Sequence, residues 1–215
     1  MTKSPELTKL LDELQEAGIT DKRVLHAIER VPRELFVPAA FRERAYENVA
    51  LPIGHSQTIS QPYIVAVMTA ALDVSDRDIV FEIGTGSGYQ SAVLARLARR
   101  VFTVERHRAM VQVAEDRFKQ MRLHNITTRF GDGTKGWPEQ PSFDRIMITA
   151  AAATIPDALI ECLADGGVLV APVGEAKKDQ LLMRIQRTGD SFTTEDLGTV
   201  RFVPLVAGLP RSAGR

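Results

Sequence analysis

The stretch from Ile79 to Leu94, IVFEIGTGSGYQSAVL, constrains the fold more than any other part of the chain. Ile79, Val80, Phe81 and Ile83 read as a short buried strand with one acid, Glu82, inside it. Gly84, Gly86 and Gly88 follow at alternate positions, and a helical pattern begins at Tyr89. A strand that turns through glycine straight into a helix lets a ligand approach bare backbone at a helix N-terminus. Nucleotide-shaped cofactors are held this way at the carboxyl edge of a parallel sheet. A GxGxxG fingerprint would need glycine where this chain has Tyr89, so an adenosine with a sulfonium tail fits better than a pyrophosphate. The alternative is a glycine turn that serves the backbone alone.

The rest of the chain repeats the strand-then-helix alternation of a doubly wound, mostly parallel α/β sheet. Strands are expected at Val101–Glu105, Thr127–Phe130, Phe143–Thr149 and Val168–Val173. Helices are expected at about Tyr89–Arg99, Arg108–Leu123 and Pro156–Leu163. Beyond these, Gln180–Arg187 and Phe192–Val203, separated by Gly189-Asp190, read as an antiparallel hairpin at one sheet edge. Upstream, Ser4-Pro5-Glu6 is a helix start and Gly18 a stop, with Leu7, Leu10, Leu11 and Leu14 on one face. A second short helix begins near Asp21. Pro32, Pro38 and Pro52 predict that residues 31 to 59 are largely irregular, and a helix resumes from Pro62 to Leu72. The expected division is an N-terminal helical and substrate-loop segment, 1–75, packed on an α/β unit, 76–215.

At 215 residues there is room for one sizeable α/β domain and little more. Acids and bases balance at 27 each, which disfavours nucleic acid or an anionic membrane as a partner. The single cysteine, Cys162, excludes an internal disulfide and suits a cytoplasmic location. No apolar run approaches the ~20 residues of a membrane span. The charged, amphipathic start does not resemble a secretory signal. His26, His55, His107 and His124 lack metal-ligand spacing, so no metal is expected. Cys162 reads as a buried small hydrophobe and Lys177-Lys178 as a solvated hairpin flank.

The ends of the first three sheet strands should line one crevice. Glu105 stands 21 residues after Gly84, where an acid can accept hydrogen bonds from ribose hydroxyls; pairing with Arg106 at the surface is the other reading. Asp132-Gly133 is placed to meet an adenine edge, or is a tight acidic turn. Glu82, costly inside an apolar strand, either braces the loop or touches the cofactor. The polar run Gly54–Tyr63, GHSQTISQPY, leads into a helix, so Ser60 is a helix cap, a carboxylate contact, or both.

PRELFVP (32–38), ALPIG (50–54), QTISQPYIVAVMT (57–69), FEIGTGSGYQ (81–90), VERH (104–107), GDGTKGWP (131–138), FDRIMITAAA (143–152), PVG (172–174) and VRFVPL (200–205) together resemble the protein-L-isoaspartate O-methyltransferases. The resemblance implies a class I S-adenosylmethionine-dependent fold that methylates the free carboxylate of isoaspartyl residues in damaged peptides and proteins. It implies Ser60 as the active-site hydroxyl. It places Gln57, Thr58, Ile59, Ser60, Glu82, Gly84, Gly86, Gly88, Glu105, Asp132 and Gly133 around S-adenosylmethionine or its product S-adenosylhomocysteine. A monomer is expected. Many bacterial members read GQGQTIS where this chain has Gly54-His55-Ser56-Gln57-Thr58-Ile59-Ser60, a departure at the rim that leaves the hydroxyl intact.

Other readings are a class I methyltransferase acting on a small molecule or nucleic acid, a non-catalytic binding module, or a nicotinamide dehydrogenase. Thr149-Ala150-Ala151-Ala152 follows the fourth strand where base-amino methyltransferases carry an Asn/Asp-Pro-Pro-aromatic run. The glycine spacing disfavours the dehydrogenase.

Overall fold

The computed structural model describes residues 4–175 and 178–210; Lys177 and the outermost residues of both expected segments lie outside them. Two helices open the fold, α1 (Pro5–Glu16) and α2 (Lys22–Glu29). The Ser4 hydroxyl accepts from the Leu7 amide at 3.2 Å and the Asp21 carboxylate from Arg23 at 2.8 Å, so both helices start on side-chain caps.

The segment 31–59, expected to be irregular, holds more order than that. Short 3-10 turns occupy Arg33–Leu35 and Ala39–Arg44. Strands β1 (Leu51–Gly54) and β2 (Gln57–Ile59) then form an antiparallel hairpin. Its turn places His55 and Ser56 both at positive φ, 50° and 56°, the twist that favours a two-residue hairpin. Pro52 sits within this short two-stranded ribbon, where fewer ladder bonds are at stake than in a central strand. Helix α3 (Pro62–Leu72) follows.

The main sheet comprises β3 (Ile79–Ile83), β4 (Arg100–Glu105), β5 (Ile126–Phe130), β6 (Phe143–Ile148), β7 (Leu163–Val173), β8 (Gln180–Thr188) and β9 (Ser191–Val200). Helices α4 (Tyr89–Leu94), α5 (Arg108–Gln120) and α6 (Asp157–Glu161) lie between the parallel strands. The spatial order is β5-β4-β3-β6-β7-β8-β9; the first five are parallel, and β8 and β9 are antiparallel. The chain steps outward from β3 to β5 and then returns to lay β6 beside β3. That reversal opens a crevice above the carboxyl ends of β3 and β6.

Alternation along β3 sends Val80 to one face and Phe81 and Ile83 to the other. One apolar cluster joins α1, α2, α3, α4 and α5 to the first face. The other gathers Phe81, Trp137, Phe143, Leu159 and Leu169, with Phe81 and Phe143 stacked at 4.7 Å.

Several boundaries differ from expectation. Helix α4 stops at Leu94 instead of Arg99 because the Asn125 amide takes the carbonyls of Ala95 and Ala98, and Arg99 N–H bonds back to Asp78 O. Helix α6 is shorter and β7 longer than expected. The ladder between β6 and β7 slips between Phe143 and Arg145, and the strand absorbs Ala164–Gly167 there, with Gly166 at φ 72°. Finally, β9 ends at Val200, and residues 201–209 leave the sheet edge to cross the crevice.

Candidate functional site

A cavity of about 420 Å³ lies over the carboxyl ends of β3, β4 and β6. Its floor is the glycine turn. The amides of Gly84 and Thr85 both reach Val104 O, at 2.9 and 3.3 Å, which lashes the turn to β4. Gly84 has φ 99°, and a Cβ on it would lie 2.4 Å from the Thr149 hydroxyl, itself bonded to Gly84 O at 2.7 Å. Gly86 is different. It lines the cavity, and a Cβ there would meet only Ile53 within 4 Å, at 3.6 Å, so the space above it is left to a ligand. Gly88 lies behind the cavity wall; a Cβ would strike the Phe118 ring at 2.8 Å.

Glu105, at the end of β4, lines the cavity and is buried. One carboxylate oxygen accepts from Gly86 N–H and the other from His107 N–H, each at 2.9 Å. Each oxygen keeps a second lone pair for another donor. The described ion pairs include none between Glu105 and Arg106, so the surface-pair reading is not realised.

Glu82 does not line the cavity. It is fully buried, its Oε2 accepting from the Ser91 hydroxyl and, at 2.6 Å, from Thr103 Oγ1, while Oε1 has no partner among the described residues. Burial pushes its pKa up to about 7 against the lowering effect of those two hydroxyls. Thr103 is in turn 2.7 Å from Thr85 Oγ1, and Thr85 faces the cavity. Glu82 therefore braces β3 to α4 and β4.

The GDG loop divides its labour. Gly133 lines the cavity over Ile83 and Val104, where a Cβ would lie 2.5 Å from Ile83 Cγ2. Asp132 does not line it. Its carboxylate accepts from Thr134 N–H at 3.0 Å and from Gly208 N–H at 2.7 Å. Burial alone would raise its pKa, but bonds from Thr134 and Gly208 hold it below the usual carboxylate value.

Gln57, Thr58, Ile59 and Ser60 form the wall facing the glycine turn. Ser60 is not the cap of α3. The N-cap position is Gln61, without a side-chain bond of its own, and the Tyr63 amide is taken by Asn48 Oδ1 at 3.0 Å. The His55 ring, in the β1–β2 turn, lies against His107 with centroids 5.2 Å apart and the planes tilted by 30°.

The roof was not anticipated as part of the site. Val200–Val206 run across the cavity mouth, tied down by Ala151 N–H to Val203 O and Leu205 N–H to Ala151 O, both 2.7 Å. Phe202 N–H is held by Gln180 Oε1 at 2.7 Å, and Gly208 by Asp132. VRFVPL is a motif of the sequence, yet nothing in its residue types places it over the distant glycine turn. Thr85, Tyr89, Gln90 and Thr149 also line the cavity; Tyr89 and Gln90 stand within the FEIGTGSGYQ match and Thr149 within FDRIMITAAA.

A reversed parallel sheet closed by an antiparallel pair, with an adenosine-sized cavity on a glycine turn and an acid at the next strand's end, defines a class I methyltransferase. A model of the protein-L-isoaspartate(D-aspartate) O-methyltransferase family matches residues 5–209, and the chain belongs to that family. It is 57% identical over 208 residues, 97% of each chain, to a protein-L-isoaspartate O-methyltransferase of Maricaulis maris. It is 55% identical over 207 residues, 96% of this chain and 97% of the other, to one of Paramagnetospirillum magneticum. Its fold matches that of a crystallised Plasmodium falciparum candidate of the same name holding S-adenosyl-L-homocysteine, with TM-score 0.80, 24% identity and coverage of 92% and 97%.

Proposed function

We propose that the chain methylates the free α-carboxylate of L-isoaspartyl residues in damaged peptides and proteins, using S-adenosylmethionine, and so starts their return through succinimide to aspartate. One observation carries the reading: Gln57–Ser60 and the glycine turn with Glu105 line one and the same roofed cavity. The residues present fit the cofactor. Gly86 leaves space for close approach, Glu105 has lone pairs to spare for ribose hydroxyls, and Gly133 is kept free of a side chain over β3 and β4. When bound, the cofactor supplies an electrophilic methyl group on a positively charged sulfur.

An α-carboxyl with a reference pKa of roughly 3.3–3.7 is already ionised at pH 7, so no side chain has to remove a proton. Gly86, Glu105 and Gly133 would hold the cofactor so that its methyl carbon could pass to the carboxylate oxygen, the carbon–sulfur pair remaining on sulfur and the two charges cancelling. Ser60 holds the carboxylate by hydrogen bond without itself being modified. Val200–Val206 exclude water over it. Such alignment is worth up to roughly 7–11 kcal/mol. In the same proposal residues 1–75 carry the substrate side together with the Gln57–Ser60 stretch that also meets the cofactor, and residues 76–215 supply the rest of the cofactor side. Gln57–Ser60, Gly84, Gly86, Glu105 and Gly133 contact the cofactor directly, whereas Glu82, Gly88 and Asp132 shape the elements that do. The protein acts as a cytoplasmic monomer without nucleic acid.

The test is labelled S-adenosylmethionine with paired peptides carrying isoaspartate or aspartate at one position. Methyl transfer is expected to the first and essentially none to the second, because small misplacements of the carboxylate cost ~100-fold. The ester should then lose methanol to give succinimide. Equal methylation of both peptides, or activity on RNA alone, would overturn the reading.

A further inference from the structure

Arg33, in the first of the 3-10 turns, is 0% exposed. It has no carboxylate partner among the described ion pairs. Its guanidinium donates instead to backbone carbonyls: Nε to Ala45 O at 2.9 Å, and Nη2 to Ser60 O at 2.8 Å and Val49 O at 3.4 Å. Nη1 has no partner in hydrogen-bond geometry, and the Tyr89 ring lies 4.9 Å from Cζ. Burial lowers its pKa and Tyr89 offsets part of that. An unpaired buried cation is costly, and an apolar side chain of similar length would fill the space without that cost.

The partners explain the placement. Ser60 O belongs to the residue that ends the Gln57–Ser60 wall, and Tyr89 opens α4 directly after the glycine turn; both residues line the cavity. Arg33 is the side chain that spans from one wall to the other behind the site. Asn48, beside Val49, holds the far end of the same stretch through Tyr63. Ser60 is thus fixed through its own carbonyl and through the turn that follows it.

We propose that Arg33 is a positioning residue: through the Ser60 carbonyl and the Tyr89 ring it sets the separation of Ser60 from the glycine turn, and so controls turnover without controlling cofactor affinity. This rests on the isoaspartyl methyltransferase reading above. Lysine at this position keeps the charge but loses the planar fork that serves several carbonyls at once, so Arg33→Lys is not conservative here. Arg33→Met keeps the bulk and leaves Ser60 O without its donor.

The experiment measures kcat and KM on an isoaspartyl peptide, S-adenosylhomocysteine affinity by calorimetry, and the number of binding sites from the same titration. Turnover per binding site should fall by up to roughly tenfold in Arg33→Lys and further in Arg33→Met, in neither below that of Ser60→Ala, as a misplacement somewhat under about 1 Å predicts. S-adenosylhomocysteine affinity should change less than turnover, by at most a few-fold, since Gly84, Gly86, Glu105 and Gly133 keep their contacts and only the Ser60 edge of the site shifts. Because Arg33 acts through Ser60, the double variant with Ser60→Ala should be no slower than Ser60→Ala alone. Unchanged turnover per site in Arg33→Lys, parallel loss of affinity and turnover, or additive losses in the double variant would each overturn the proposal. So would failure of both single variants to fold, which would make Arg33 a determinant of the fold alone. Unmutated protein inactive on the isoaspartyl peptide would sink the functional reading and this proposal with it. Active unmutated protein beside an equally active Arg33→Lys would overturn only the proposal.

Discussion

The Asn48 side chain accepts the Tyr63 amide at 3.0 Å and so caps α3 from a neighbouring loop. Ser60, three residues before Tyr63, is released from the capping role its sequence context suggests. Stability and catalysis should therefore separate between these two residues. Asn48→Ala should lower stability by about 0.5–2 kcal/mol, the usual cost of a lost cap. Ser60→Ala should melt close to the unmutated protein yet turn over at least ~tenfold more slowly. Thermal melts and kcat per folded molecule check the pair; a Ser60→Ala protein with lower melting and normal turnover would reverse the assignment.

Glu105 bonds Gly86 and His107 while facing the cavity, so it both shapes the turn and stands ready for the ribose. Glu105→Ala removes charge-assisted hydrogen bonds worth ~1.5–3 kcal/mol each. S-adenosylhomocysteine should bind roughly tenfold to a few hundredfold more weakly, with the fold retained. Calorimetry on the folded variant is the check, and unchanged affinity would discard the ribose role.

Two glycines of the same turn should fail differently. Gly88→Ala drives a Cβ into the Phe118 ring at φ 88°, so its damage should appear as lost stability, on the order of 1–3 kcal/mol. Gly86→Val also strains the backbone at φ 54° but strikes no packed ring, so it should weaken cofactor binding more than it lowers the melting temperature. Melting and binding measured on both variants distinguish the two outcomes.

Glu82 provides a pH signature. Its pKa is raised by burial to about 7 in the folded protein, above the usual value of 4.5. The native state thus holds a proton that the unfolded chain releases between about pH 4.5 and 7, so this contribution falls as pH rises through that window. The contribution is complete below the lower value and lost above the higher one. Its size is on the order of 3 kcal/mol. Glu82→Gln, which cannot ionise, should flatten the stability profile across the window. Urea titrations from pH 5 to 8 measure it, and an identical slope in the variant would remove Glu82 as the cause.

The β3–glycine–α4 unit was legible because its signals are local: an apolar run, three glycines and a helical period within sixteen residues. Glu105 was legible by spacing, since it ends the next strand. The hairpin of β1 and β2 was hidden by Pro52 and by a polar turn whose non-glycine residues take positive φ. The roles of Arg33 and Asn48 were hidden because both act on backbone atoms, which carry no side-chain signature in a sequence.

Local order, from caps and periodicity to the strand–helix alternation, follows from side chains interacting with their own neighbours along the chain. Those interactions reach a few residues, and within that reach the order of residues is sufficient. The closing of the site does not follow from them. Val203 meets Ala151 and Gly208 meets Asp132 only after the sheet has reversed at β6 and the chain beyond β9 has come back over it, and Ser60 meets Arg33 only once the β1–β2 hairpin has folded back on the first 3-10 turn. These contacts join residues 27 to 76 positions apart, and the packed sheet alone decides which of many possible partners each polar group finds.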